Sequence, residues 1–346
     1  MRDRKDREGI PGRPIQMNEE PSGSKSICAV IGGTGFIGRH LCETLVDAGK
    51  IVRSLSRRGK PENPIRGVEY LAGRLADERA VRQSLQGAST VWHLASATLP
   101  ASSLADSLAA LQQEVAATVR LCEIARDEGA ERLIFASSGG TVYGVTDPQP
   151  IPEDHLKNPI SAYGVQKVAI EMYLQLFERI SGFKSFVLRM GNPYGEDQDW
   201  NRPFGAIANF VNRAVRGLGI EVWGDGTVVR DYFHVEDLTD IFGRIDTYNG
   251  PYRTFNVGSG EGASLKQVLN IIEAHLHTPL NVSYSVSRLE DVPYNVLKIE
   301  RAGKELGWTP RISLHAGIRR VLNSALRNRE MREVLLDTGD PPQRRS

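Results

Sequence analysis

The sequence predicts an α/β fold, a doubly wound parallel sheet followed by a smaller C-terminal α/β region. Three observations carry this reading. Short β-branched runs alternate with helical patterns from residue 26 to about 190, a glycine-rich turn stands at the first strand-to-helix junction, and the rhythm loosens into shorter elements after Gly191. Parallel strands need crossover connections, so strand and helix in alternation imply a sheet covered on both faces.

The elements follow in order. Ile27-Cys28-Ala29-Val30-Ile31 is apolar throughout, as a strand buried on both faces must be, and a helix runs from the glycine turn to about residue 48. Further strands are expected over 51–55, 68–71, 90–94, 133–136 and 186–190, with a helix over 162–180 before the last. A helix over 104–126 carries Leu104, Leu108, Leu111, Val115, Thr118 and Cys122 at alternating spacings of four and three. Such a seam packs along another helix or covers the helix's own sheet, and the pattern alone does not separate the two. Beyond Gly191, loops around 194–204, 224–229 and 258–262 separate helices expected over 205–216, 235–248, 265–275 and 299–306. The chain divides into a charged, Pro- and Gly-rich disordered tail (1–25), a first domain (26–190), a substrate-binding region (191–330) that partly rejoins the first sheet near 231–258, and a flexible tail (331–346).

With 346 residues, 43 Lys plus Arg against 42 Asp plus Glu, and 40% hydrophobic content, the chain reads as a globular protein with a large core. A net charge of +1 without long single-sign blocks gives no motive for nucleic-acid or membrane partners. The three cysteines, Cys28, Cys42 and Cys122, lie in separate apolar runs and read as buried thiols of a reducing compartment rather than a disulfide frame or a metal site. No apolar leader and no membrane-length apolar run is present, so a cytoplasmic location is expected.

The apolar strand runs straight into Gly32-Gly33-Thr34-Gly35-Phe36-Ile37-Gly38 and then into helix. Strand, glycine turn and helix N-terminus in this order suit a pyrophosphate, because bare backbone lets phosphates reach free amides at the positive end of the helix dipole. This is the dinucleotide-binding Rossmann arrangement, with Gly32, Gly35, Phe36, Ile37 and Gly38 as the cradle. The next strand ends in Ser56-Arg57-Arg58, where an NAD site usually has an acid for the ribose 2′-hydroxyl. Serine and arginine there suit a 2′-phosphate, so NAD and NADP both stay open.

Tyr163 and Lys167 stand four residues apart on one helix face. A phenol serves as a base near neutrality only beside a cation, which Lys167 and an oxidised nicotinamide can supply. About 25 residues earlier a strand ends in Ser137-Ser138-Gly139-Gly140-Thr141-Val142-Tyr143-Gly144, which sets hydroxyls at the sheet's ligand-binding edge.

From residue 26 to about 326 these motifs resemble the extended short-chain dehydrogenase/reductases, the NAD-dependent epimerase/dehydratase family, in particular its UDP-hexose 4-epimerases. The resemblance implies a homodimer built through the helices over 104–126 and 162–180, and a place in nucleotide-sugar and polysaccharide metabolism. Tyr163 becomes the acid/base, and Lys167 holds the nicotinamide ribose and lowers the tyrosine pKa. A strand-end hydroxyl, Ser138 or in second place Thr141, bonds the sugar, because Gly139 occupies the place where many members carry that hydroxyl. Arg74, just before Leu75 of the cofactor site, replaces an Asp that contacts adenine in the family. In the substrate half, Asn192 resembles the asparagine near the sugar diphosphate and Trp223 the aromatic over uracil. Arg230 and Arg288 resemble the pyrophosphate clamp, and Asp291 the acid on the nucleotide ribose. Asn295 matches the position that governs room for a C2 N-acetyl group and, being smaller than tyrosine, implies that N-acetylated UDP-sugars fit.

The implied reaction is C4 epimerisation of UDP-glucose and UDP-galactose by transient oxidation with tightly held NAD. An NADP-dependent reductase of a 4-keto nucleotide sugar would use the same Tyr163 and Lys167, and a non-catalytic dinucleotide sensor would need neither. Gly139-Gly140-Thr141 offers no acid-base pair for 4,6-dehydration.

Overall fold

The computed structural model describes residues 26–96, 107–147, 149–199, 205–286 and 292–337, with side chains of the last helix up to residue 327. The first half of the chain runs β1 (Ile27–Ile31), α1 (Phe36–Asp47), β2 (Ile51–Ser56), β3 (Val68–Ala72), α2 (Glu78–Leu85), β4 (Ala88–His93), α3 (Ser107–Leu111), a π-helical turn (Gln112–Ala116), α4 (Ala117–Asp127), β5 (Arg132–Ser138), α5 (Gly139–Val142), α6 (Ala162–Ser181) and β6 (Lys184–Met190). The second half runs β7 (Asn192–Tyr194), α7 (Ala206–Val215), β8 (Ile220–Trp223), β9 (Val229–His234), α8 (Val235–Thr247), β10 (Thr254–Val257), β11 (Gly262–Ser264), α9 (Leu265–Leu276), β12 (Val282–Ser285), β13 (Tyr294–Asn295), α10 (Glu300–Leu306) and α11 (Leu314–Asp337).

Seven strands form one parallel sheet in the order β10-β6-β5-β4-β1-β2-β3. Alternation along each strand decides which layer a side chain joins. Cys28 and Val30 of β1 pack with Leu41 and Leu45 of α1 and Leu238 and Phe242 of α8. Ala29 and Ile31 point the other way, into the layer with Val81 of α2, Leu121 of α4 and Ile170 and Leu174 of α6. Burial on both faces is why these strands read as unbroken apolar runs. The chain winds outward in both directions from β1, so a crevice opens at the carboxyl ends of β1 and β4.

The expected return of 231–258 to this sheet is half realised. β10 extends it beside β6, whereas β9 joins β7, β11 and β13 in a separate four-stranded sheet. That sheet, the β8–β12 pair and α7, α9 and α11 enclose a third apolar cluster that includes Phe210, Val222, Tyr232, Ile272 and Ile318.

Two expectations need correction. The seam over 104–126 is not one face: Leu108 and Leu111 are exposed, while Val115, Thr118 and Cys122 are buried. The π-helical turn inserts an extra residue that rotates the stripe between α3 and α4; Leu104 lies outside the described residues. At the C-terminus, α11 carries helix to Asp337, into the stretch from 331 that composition assigns to a tail. Glu330-Met331-Arg332-Glu333-Val334-Leu335-Leu336 is rich in good helix formers that prolong a helix already docked at Ile318, Val321 and Leu322.

Candidate active site

The glycine turn is built by close contact. Gly32 adopts φ +95°, and a Cβ there would stand 2.8 Å from the Ala95 amide nitrogen. A Cβ on Gly38 would fall 2.3 Å from the Gly32 carbonyl oxygen, so the helix rides directly on the loop. Gly35 occupies the N-cap of α1 with no side-chain cap, and the first turn holds no acid. Helices usually satisfy those amides with a Ser, Thr, Asp or Asn side chain. Leaving them to the crevice, with no carboxylate opposing an anion, fits the pyrophosphate of a dinucleotide. Phe36 and Ile37 open α1, Leu75 packs against the layer under α2, and the Gly32 amide donates to the Leu55 carbonyl at 2.8 Å.

Tyr163 and Lys167 lie in the first turns of α6, where the Ser161 hydroxyl caps the helix by accepting from the Gly164 amide at 3.1 Å. The Lys167 ammonium sits 5.3 Å from the Tyr163 ring centroid and 4.7 Å from that of Phe135, and donates to the Ala136 carbonyl at 3.4 Å. The lysine is 4% exposed, so its charge is held in place against the partly buried tyrosine.

The segment that carries the strand-end hydroxyls packs against the same helix. Ser138 ends β5 and sets the N-cap of α5 without capping it. Thr141 reaches α6 through its backbone, since a Cβ on Gly164 would meet the Thr141 carbonyl at 2.7 Å, and its own Oγ1 is buried without a partner among the described residues. Gly139 has a structural reason: a Cβ would stand 2.6 Å from Cδ1 of fully buried Leu297 and 3.1 Å from the Arg189 carbonyl oxygen. Asn295 is fully buried and its Nδ2 donates to the Gly139 carbonyl at 3.0 Å, so it braces this segment.

Sequence reasoning missed the support beneath this pair. Glu171, one further turn along the face of Tyr163 and Lys167, is fully buried. It accepts from Arg189 through Nε at 3.1 Å and Nη2 at 2.7 Å and from the Ser137 hydroxyl at 2.6 Å. Arg189 also donates to Tyr143 Oη and the Glu153 carbonyl, both at 2.8 Å, which ties α6, β5, β6 and the 151–157 loop together. The spacing 163, 167, 171 was the available signal. His93, the last residue of β4, is fully buried with Nε2 2.9 Å from the Thr118 hydroxyl, which itself donates to the Glu114 carbonyl. Burial, reinforced by the Lys167 charge, lowers its pKa to about 3.

The substrate-side residues are less closely gathered. Asn192 on β7 donates to the Asp231 carbonyl at 3.4 Å, and Trp223 ends β8 about two-fifths exposed. Arg230 donates to the backbone carbonyls of Val229 and Val292. The carboxylate beside it, Asp231, is a buried knot that accepts from the Ser259 amide and hydroxyl and the Gly260 and Leu297 amides. Arg288 and Asp291 lie outside the described residues. His234 is structural: it caps α8 through Nδ1 and pairs with Glu196 at 3.0 Å.

Comparison with known proteins agrees with this geometry. The UDP-glucose 4-epimerase of Mycolicibacterium smegmatis is 31% identical over 84% of this chain and 95% of its own length. The dTDP-4-dehydro-6-deoxyglucose reductase of Escherichia coli is 32% identical over 85% of this chain and 96% of its own. Among solved structures, the Thermotoga maritima UDP-glucose 4-epimerase with UDP-glucose superposes with a TM-score of 0.83 at 31% identity, over 88% of this chain and 99% of the other. The Thermus thermophilus UDP-glucose 4-epimerase in complex with NAD gives 0.81 at 30% identity, over 86% and 98%. The family model for NAD dependent epimerases/dehydratases matches residues 28–258. The family model spans well over half of the chain and the relatives align over nearly their whole length, so this chain belongs to the NAD dependent epimerase/dehydratase family.

Proposed function

We propose that the chain is a UDP-hexose 4-epimerase that works with bound NAD and handles UDP-glucose, UDP-galactose and N-acetylated forms. The observation that carries this reading is the Tyr163 ring over the Lys167 ammonium, on the helix that packs against the Ser138–Thr141 segment. The glycine cradle of Gly32, Gly35 and Gly38 would hold NAD, which would supply reversible hydride acceptance. Tyr163 takes the C4 hydroxyl proton and later gives it back, with the Lys167 ammonium fixed beside its ring. Ser138 orients the C4 hydroxyl, with Thr141 as the second candidate. Asn192, Trp223, Arg230, Arg288 and Asp291 hold the nucleotide diphosphate.

Two finer points belong to the same proposal. Val165, Met172, Tyr173, Leu176 and Ile180 form an exposed apolar stripe along α6, and Leu108 and Leu111 of α3 are exposed as well, which supports a homodimer through these helices. Three buried free thiols support a cytoplasmic location, and no described helix is long and apolar enough to cross a membrane.

The test is to denature the purified protein, identify the released dinucleotide by mass spectrometry, and incubate native protein with UDP-glucose or UDP-GlcNAc without added cofactor. Retained NAD and formation of the C4 epimer, abolished by Tyr163→Phe, are expected. A 4-keto-sugar reductase is the second reading, favoured by Ser56-Arg57-Arg58 and by the Escherichia coli relative; no epimer, together with oxidation of added NADPH by a 4-keto nucleotide sugar, would replace the first with it.

A further inference from the structure

We propose that Asn295 is a positioning residue for the reaction, and that it acts on the placement of Ser138 rather than on the size of the sugar pocket. The inference rests on the epimerase reading of the Tyr163 site and deepens it.

Ser138 ends β5 paired with Met190, and the backbone beyond it has little local support. Two glycines follow, and the helix that contains them, Gly139–Val142, is a single turn in which the Ser138 side chain caps nothing. A turn of that length is not stable by itself, and consecutive glycines leave the widest backbone freedom. What fixes the segment comes from 156 residues further along the chain, where Asn295 Nδ2 donates to the Gly139 carbonyl at 3.0 Å. Leu297 covers the same residue, so closely that a Cβ on Gly139 would stand 2.6 Å from its Cδ1. At its other end the segment meets α6, where a Cβ on Gly164, next to Tyr163, would stand 2.7 Å from the Thr141 carbonyl. The peptide that runs from Ser138 to Thr141 is thus held between β13 and the helix of Tyr163 and Lys167.

β13 can hold it because β13 is itself tied down. Asn295 pairs with Arg230 of β9, the Val229 amide donates to the Pro293 carbonyl at 2.9 Å, and Arg230 donates to the Val292 carbonyl. Beyond the strand, the Leu297 amide donates to Asp231 Oδ2 at 3.1 Å and the Ile151 amide to the Val296 carbonyl at 2.9 Å. One side chain therefore joins the strand of Arg230, proposed above to hold the nucleotide diphosphate, to the peptide after Ser138. Strand alternation turns Tyr294 outward, 46% exposed, and Asn295 inward, with no accessible surface. A side chain that gates a sugar must border the space the sugar enters, and Asn295 does not. Its Oδ1 is also buried, without a hydrogen-bond partner among the described residues, so the Gly139 bond alone aims the amide. What this position contributes is a donor, not a volume.

The experiment compares the full-length parent, with its nucleotide bound, with Asn295→Leu, which keeps nearly the same volume and removes the donor, and with Asn295→Ala, which adds space as well. Initial rates are measured on UDP-glucose and UDP-GlcNAc, and UDP affinity by calorimetry. Both variants should lose about tenfold in kcat, equally for the two sugars, with KM and UDP affinity as in the parent. An unchanged kcat in Asn295→Leu overturns the proposal. So does an Asn295→Ala protein that keeps its kcat on UDP-glucose and shifts only its preference between the sugars, which is the signature of a size gate. Hydrogen exchange over 138–143, read by mass spectrometry, is independent of turnover: the parent should protect this peptide, and Asn295→Leu should raise its exchange about tenfold while the peptides of α6 stay as in the parent. Exchange in the parent as fast as in an exposed loop overturns the brace even where the variants fail to fold. A parent protein that forms no epimer overturns the epimerase reading instead, and the exchange comparison still decides the brace.

Discussion

Substitution of Glu171 by glutamine tests how the catalytic helix is held. The carboxylate is fully buried and faces Arg189, itself 3% exposed, with Lys157 3.8 Å away as a second, more distant cation. Glutamine keeps the shape but replaces one acceptor oxygen by an NH₂ group that confronts the Arg189 donors, and it leaves a buried guanidinium without its counter-charge. Tyr143 and the Glu153 carbonyl still accept from Arg189, yet neither is an anion. Breaking a buried pair in this way costs about 3–5 kcal/mol, which is roughly two to three and a half orders of magnitude in the unfolding constant. At about 2 cal/mol/K of unfolding entropy per residue, the midpoint of this 346-residue chain should fall by about 4–7 °C. Thermal and urea unfolding followed by circular dichroism, without nucleotide so that binding does not add stability, reads this directly. Lys157→Met is the control; its side chain is 25% exposed at a longer distance, and a loss under about 1 kcal/mol is expected. A Glu171→Gln loss below about 1 kcal/mol, or equal losses in both variants, would refute the assignment of the buried pair as the tie between α6 and β6.

Three further outcomes follow from the structure. His93 is held neutral to about pH 3, whereas its unfolded imidazole titrates near 6.5, so between these values the unfolded state binds the extra proton and acid favours unfolding. Urea titrations should show this one residue contributing a loss of about 2 kcal/mol at pH 5 relative to neutrality, absent in His93→Gln; parallel pH slopes in the two proteins would contradict it. Burial pushes the thiols of Cys28, Cys42 and Cys122 up to about 12, so an aromatic disulfide reagent at pH 8 should find no fast thiol in the native protein and three after denaturation. Charge placed in the α6 stripe, as Met172→Glu with Leu176→Glu, should turn a dimer into a monomer in sedimentation; a parent protein that is already monomeric at micromolar concentration defeats the homodimer proposal.

What the sequence determined by itself is what local physics encodes. Apolar strands buried on both faces write themselves as unbroken runs, a glycine turn that must clear a backbone oxygen at 2.3 Å admits nothing larger at Gly38, and a four-residue spacing fixes Tyr163 and Lys167 on one face. The buried cysteines were legible for the same reason. What tertiary structure alone decided are meetings between segments far apart in the chain. Leu297 closes the space over Gly139, and Asn295 crosses to its carbonyl. The π-helical turn swings Leu108 and Leu111 away from the face that Val115 and Thr118 bury, although the sequence shows one continuous seam. Asp231, next to an arginine in sequence, spends its oxygens on backbone amides from 259, 260 and 297. The turn after β2 and the segment after β3 are held at one point because the Ser56 carbonyl accepts the amides of both Gly59 and Gly73. Periodicity reports which face of an element is apolar, but the partner of a buried polar group is set by strand order and register, and those depend on the energy of the whole packed chain.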